Sequence, residues 1–178
     1  MRSAVFLDRD GVLSRSLVKD GKAYAPRTLK DFRLMPRAAD CVKRLQSAGF
    51  LVVVVTNQPD IGNGLVSRAV VDAMNNRLQS FTSIDDLEMC PHRQDEACSC
   101  RKPKPGMLLN AARHHDIDLT RSFIVGDRAS DVAAGEAVGC RSVFIDRGYR
   151  ESPPPAPNAV VRSLAAAVDF IINQNTPL

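Results

Sequence analysis

Apolar positions along the chain follow two rhythms. Residues 4–8, 50–56, 122–125 and 141–145 are short, nearly unbroken apolar runs, the pattern of strands buried on both faces. Residues 86–90 form a weaker run of the same kind. Elsewhere the spacing changes to three and four. Ala38, Cys41, Val42 and Leu45 predict a helix over 37–48 with Gly49 as its stop, and Val70, Val71, Met74 and Leu78 predict one over 67–81 capped by Ser67. Further helices are predicted over 106–115, after a turn marked by Pro103 and Pro105, over 130–138 before Gly139, and over 163–173. Segment 151–158 holds four of the eleven prolines and reads as an extended surface loop. Strands alternating with helices predict an α/β fold, a parallel sheet with helices on both faces. No repeat or linker divides the chain, so one domain over residues 1–178 is expected.

Composition narrows what such a fold can do. At 178 residues, 44% apolar and 25% charged, the chain can build one well-packed core and is not a disordered sequence. No apolar run approaches the roughly 20 residues that cross a bilayer, so no membrane partner is expected. Met1-Arg2-Ser3 leads straight into the first apolar run, unlike an export signal, and a cytoplasmic location is expected. The net charge of +4 is mild, and with no Trp and two Tyr the chain lacks both a dense basic stripe and stacking platforms. Nucleic acid is therefore not an expected partner, whereas a small anionic substrate fits the balance; a monomer is expected. Five cysteines in such a chain argue against a disulfide framework. Cys41 and Cys140 read as small buried hydrophobes. Cys90, Cys98 and Cys100 share an eleven-residue stretch with His92 and need another explanation.

Four polar clusters carry candidate chemistry. Asp8-Arg9-Asp10-Gly11 follows the first strand, and two carboxylates so placed repel each other and lose hydration. A divalent cation would relieve that cost, leaving one acid to attack phosphorus and the other to move a proton; solvated loop acids are the plain alternative. Asp127, with Asp131 four residues on, ends another strand, and strand ends on one edge of a parallel sheet face a common crevice. A helix cap is the alternative there. Thr56-Asn57-Gln58 offers a hydroxyl and amides to a phosphate oxygen, or stabilises a turn. Arg101-Lys102-Pro103-Lys104-Pro105 is either a solvated basic turn or a pair of cations for a phosphoryl group, Lys102 neutralising its charge and Arg101 gripping two oxygens.

Taken in order, Asp8-Arg9-Asp10-Gly11, Thr56-Asn57-Gln58, Lys102 and Gly126-Asp127 with Asp131 resemble the four motifs of the haloacid dehalogenase superfamily of phosphatases. The segment Cys90-Pro91-His92 through Cys98-Ser99-Cys100-Arg101-Lys102-Pro103 resembles the zinc-containing subgroup of heptose bisphosphate phosphatases and histidinol-phosphate phosphatases. The resemblance implies a three-layer Rossmann-like fold with no separate cap domain and a zinc-stabilised loop. It implies a phosphatase acting through an aspartyl-phosphate on Asp8, with Asp10 as acid and base, and Thr56 and Lys102 on the phosphoryl oxygens. Mg²⁺ would be held by Asp8, Asp127 and the backbone carbonyl of Asp10. Three thiolates and one imidazole, Cys90, His92, Cys98 and Cys100, form a tetrahedral Zn²⁺ set with no open position, so that metal would be structural.

Asn57, Gln58, Arg101, Arg128 and Lys19 are the expected substrate contacts. Lys19, or Lys22, and Tyr24 belong to a loop over 13–36 that is expected to line the pocket. Where the heptose subgroup continues with Ser-Gly, this chain has Pro59-Asp60, and one phosphate contact is lost. A small sugar phosphate, above all a heptose bisphosphate, is the expected substrate. Histidinol phosphate is the alternative, for which Asp60 would be the carboxylate meeting its positive charge. A polynucleotide phosphatase and an inactive zinc-binding module are weaker alternatives.

Overall fold

In the computed structural model of the protein, which describes residues 1–175, strand β1 (Ala4–Leu7) is buried on both sides. Val5 and Leu7 point into one core and Ala4 and Phe6 into the other, which is why its sequence is apolar without alternation. A small hairpin of β2 (Leu17–Lys19) and β3 (Lys22–Tyr24) follows, then α1 (Ala38–Ser47), β4 (Leu51–Asn57), a single helical turn α2 (Pro59–Gly62) and α3 (Arg68–Thr82). The chain continues through β5 (Asp86–Cys90), α4 (Gly106–His115), a 3₁₀ turn at Leu119–Arg121, β6 (Phe123–Gly126), α5 (Ala129–Glu136), β7 (Arg141–Ile145), β8 (Ala159–Val161) and α6 (Leu164–Asn175).

The main sheet runs β5-β4-β1-β6-β7-β8, and every pairing in it is parallel. Helices α1, α3 and α6 cover one face through Leu45, Met74, Leu78, Val168 and Ile171. Helices α4 and α5 cover the other through Met107, Leu108, Ala111 and Ala134. Cys41 and Cys140 are buried among these apolar side chains. The Ser67 hydroxyl caps α3 by accepting a hydrogen bond from the Val70 N–H at 3.3 Å. No helix among the described residues is long and apolar enough to cross a membrane, and no cap domain interrupts the sheet.

The structure adds elements that the apolar pattern did not predict: β2, β3, α2 and β8. Helix α5 also ends earlier than Gly139 suggested, at Glu136. The loop over 151–158 has no regular structure, as its prolines require.

Candidate active site

The direction of chain growth reverses about β1, which pairs with β4 on one side and β6 on the other. In a parallel sheet this reversal opens a crevice at the carboxyl ends of the strands. Asp8 lies just beyond β1, Asp127 just beyond β6, and Thr56 and Asn57 close β4. A cavity of about 610 Å³ opens there, with Asp8, Asp10, Thr56, Lys102 and Asp131 in its walls.

Lys102 is the hub. Its Nζ donates to Asp8 Oδ1 at 2.9 Å and to the Val55 carbonyl at 2.6 Å, and lies 2.6 Å from Asp131 Oδ1. Burial alone would discharge this lysine, but the two carboxylates more than offset that and keep its pKa above the usual value. Its backbone is seated by Asn57, whose side-chain amide donates to the Lys102 carbonyl at 3.0 Å and accepts from the Lys102 N–H at 3.1 Å. Burial pushes Asp8 up to about 6, against the pull of Lys102 and with repulsion from Asp131 and Asp10 adding to the rise. At neutral pH Asp8 is therefore mostly an ionised carboxylate.

Asp10 is held by four hydrogen bonds. Arg9 donates to Oδ2 through Nε at 3.2 Å and through its terminal nitrogen at 2.9 Å, Gln58 Nε2 donates to Oδ2 at 2.8 Å, and the Ser14 hydroxyl donates to Oδ1 at 2.9 Å. Gln58 also donates to the Thr56 hydroxyl at 3.0 Å and lies behind the cavity wall, so it orients Asp10 and Thr56 instead of reaching the cavity. Arg9 is wholly buried over the Phe32 ring and donates to Asn75 Oδ1 at 2.7 Å.

Asp127 differs from all of these. It is buried, neither carboxylate oxygen makes a hydrogen bond of ordinary geometry, and the neutral polar group beside them is the Tyr149 hydroxyl. Burial, with the Asp8 and Asp131 carboxylates beside it, pushes its pKa up to about 8. Oxygens of Asp8, Asp127 and Asp131 lie within 4.8 Å of one another, so an oxygen-seeking cation fits this cluster and would satisfy the orphaned carboxylate. Asp131 is partly committed already, accepting the Arg128 N–H at 3.1 Å besides pairing with Lys102. Gly11, at φ +90°, lets the loop pass Asp127; a Cβ there would stand 1.7 Å from Asp127 Oδ2.

Cys90, His92, Cys98 and Cys100 converge at the other metal-like cluster, their ligand atoms all within 4.8 Å. The Cys90 and Cys98 sulfurs are 3.8 Å apart, far too distant for a disulfide. Thiolates bound at about 2.3 Å to one tetrahedral centre would leave their sulfurs roughly 3.8 Å apart, so the set fits zinc. The loop leads directly into Arg101 and Lys102.

Of the other expected contacts, Arg101 and Arg128 line the cavity. Arg101 has one terminal nitrogen buried without a partner, and Arg128 donates to the Ala23 carbonyl. Lys19 and Lys22 do not line it: both are exposed on the hairpin, whose inward contribution comes from Ser16, Ala23, Tyr24, Ala25 and Arg27. Antiparallel pairing of Lys19 with Lys22 sets both beside the turn, at the hairpin's outer end. Sequence patterns alone also passed over Arg9, Ser14 and Asn75, which act through Asp10, and Arg27, which belongs to no motif.

A HAD-hydrolase-like family model matches residues 99–167. A relative from Pseudomonas aeruginosa, named D-glycero-beta-D-manno-heptose-1,7-bisphosphate 7-phosphatase, is 36% identical over 96% of this chain and 98% of its own. The chain belongs to the haloacid dehalogenase-like phosphatase family. A relative from Mycobacterium tuberculosis, named for the alpha anomer of the same heptose bisphosphate, is 39% identical over 79% of this chain and 78% of its own. The crystal structure of the D,D-heptose 1,7-bisphosphate phosphatase from B. bronchiseptica, complexed with magnesium and phosphate, superposes with a TM-score of 0.82. That pair shares 28% identity over 97% of this phosphatase and 99% of the other.

Proposed function

We propose that this phosphatase removes the 7-phosphate from a D-glycero-D-manno-heptose 1,7-bisphosphate, using Mg²⁺ in the crevice and Zn²⁺ in the cysteine loop. The observation that carries the reading is the contact between a buried carboxylate and a buried ammonium, Asp8 to Lys102 at 2.9 Å, in the wall of a cavity of sugar-phosphate size. An oxygen of Asp8 bonds to phosphorus as the bond from phosphorus to the sugar oxygen breaks, and Asp10 gives its proton to that departing oxygen. Ionised Asp10 then takes a proton from water as the water oxygen bonds to phosphorus and the link to Asp8 breaks, freeing inorganic phosphate. Lys102 and the Thr56 hydroxyl hold phosphoryl oxygens through both steps. Asp8, Asp127 and the Asp10 carbonyl would hold the magnesium, which would supply further positive charge against those oxygens. Zinc bound by Cys90, His92, Cys98 and Cys100 would stay outside the chemistry and fix the strand of chain that carries Arg101 and Lys102.

Histidinol phosphate would require a free carboxylate to meet its ammonium, and the carboxylate at the mouth, Asp60, is already bound to Arg27. A polynucleotide would require stacking surfaces, and Tyr24 is the one aromatic residue among those lining the cavity. A cytoplasmic monomer of one domain completes the reading; thiols kept free for a metal belong in a reducing compartment. Phosphate release with Mg²⁺ from heptose 1,7-bisphosphate, heptose 7-phosphate and histidinol phosphate tests it. The bisphosphate is expected to give the highest kcat/KM, and Asp8→Asn is expected to abolish turnover. Preferred turnover of histidinol phosphate would replace the reading.

A further inference from the structure

The mouth of the cavity carries an ion pair that no motif accounts for. Arg27 Nε donates to Asp60 Oδ2 at 2.7 Å, joining the loop after β3 to the helical turn α2, and both residues line the cavity. Two other cations of the lining, unlike Arg101 with its unpartnered buried nitrogen, have obligations of their own. Lys102 is locked between Asp8 and Asp131 at the reacting end, and Arg128 is tied to the Ala23 carbonyl with Glu151 at 3.5 Å. Arg27, by contrast, has one carboxylate partner, and its side chain is 47% exposed. Its guanidinium therefore has donors left for a second anion in the cavity that it lines.

We propose that Arg27 is a specificity-determining residue that grips the non-reacting phosphate of a doubly phosphorylated substrate, with Asp60 occupying the guanidinium until that phosphate arrives. The inference rests on the phosphatase reading above and adds to it how two phosphates are told from one. A phosphate dianion outcompetes a carboxylate for arginine because it brings more charge and three acceptor oxygens in fork-compatible geometry. Asp60 then acts as a placeholder. A substrate with no remote anion leaves the ion pair intact and gains nothing from Arg27, so the arginine discriminates and Asp60 tempers its grip. The Pro59-Asp60 sequence, where the related subgroup continues with Ser-Gly, supplies the carboxylate: Pro59 opens α2 and Asp60 follows it on the cavity side.

The test is the ratio of kcat/KM on heptose 1,7-bisphosphate to that on heptose 7-phosphate, measured in the wild type, Arg27→Gln and Asp60→Asn, with melting temperature as a check on folding. Loss of a charge-assisted contact predicts about a tenfold or greater fall of this ratio in Arg27→Gln. In Asp60→Asn the competitor is removed, so the ratio holds or rises. A pair that merely straps two loops together would instead lower the ratio in both variants, and that result, or an unchanged ratio in Arg27→Gln, overturns the proposal. A wild type that releases phosphate from neither sugar would overturn the phosphatase reading itself, and this proposal with it.

Discussion

Burying a carboxylate without a well-formed hydrogen bond is among the more expensive things a single residue can do, and Asp127 does it with both oxygens, the Tyr149 hydroxyl offering only partial relief. The pKa of Asp127 rises from 3.8 to about 8, and that of Asp8 to about 6, chiefly through burial. Between these values and the unfolded value the native state binds more protons than the unfolded chain, so stability falls as pH rises. We expect the melting temperature of Mg²⁺-free protein to drop steadily from about pH 5 to about pH 8, an effect on the order of a few kcal/mol. Adding Mg²⁺ should reverse most of the drop, and Asp127→Asn should flatten it in the absence of metal. A melting temperature that rises over this interval without Mg²⁺ would contradict the account. Asp8 and Asp127 could be picked out from sequence because acids at strand ends stand out against apolar runs. Arg9, Asn75 and Ser14 could not, because Arg9 and Ser14 act through three-dimensional contacts to Asp10, and Asn75 through its contact to Arg9.

At the scale of elements, legibility followed burial. Strands β1, β4, β6 and β7 are hidden on both faces and therefore spell themselves out in apolar residues. The hairpin of β2 and β3 leaves no apolar signature because its strands are three residues long and mostly exposed. Yet its turn was written in the chain: Asp20 and Gly21 both have positive φ, as an Asp-Gly hairpin turn demands. The zinc loop is the element with the clearest test. Its sulfurs converge although burial pushes the Cys90 thiol up to about 12, so without a metal this thiol stays protonated. Protein purified without chelator is expected to contain about one zinc per chain that survives mild EDTA treatment. Cys100→Ser should lose that zinc, melt at lower temperature and turn over more slowly, because the path to Lys102 slackens. Elemental analysis showing no zinc in the wild type would remove the basis for this.

Across the whole molecule, the site exists because loops from opposite halves of the chain are pressed together at the centre of one sheet. Gly11 marks how closely: a Cβ there would meet Asp127 Oδ2 at 1.7 Å. Gly11→Ala adds the strain of a side chain at φ +90°. We expect kcat/KM to fall by about a hundredfold or more while the circular dichroism spectrum stays native, since a 1 Å displacement of reacting groups has that effect. Wild-type activity in this variant would mean that the loops have slack that the structure does not show. The same central position of β1 bears on how the protein is made. Strand β1 needs Leu51–Val54 on one flank and Phe123–Val125 on the other, so during synthesis its second edge stays bare until that later segment has been translated. An unpaired apolar edge invites pairing with other chains, which makes the nascent polypeptide a natural client for chaperones until β6 docks.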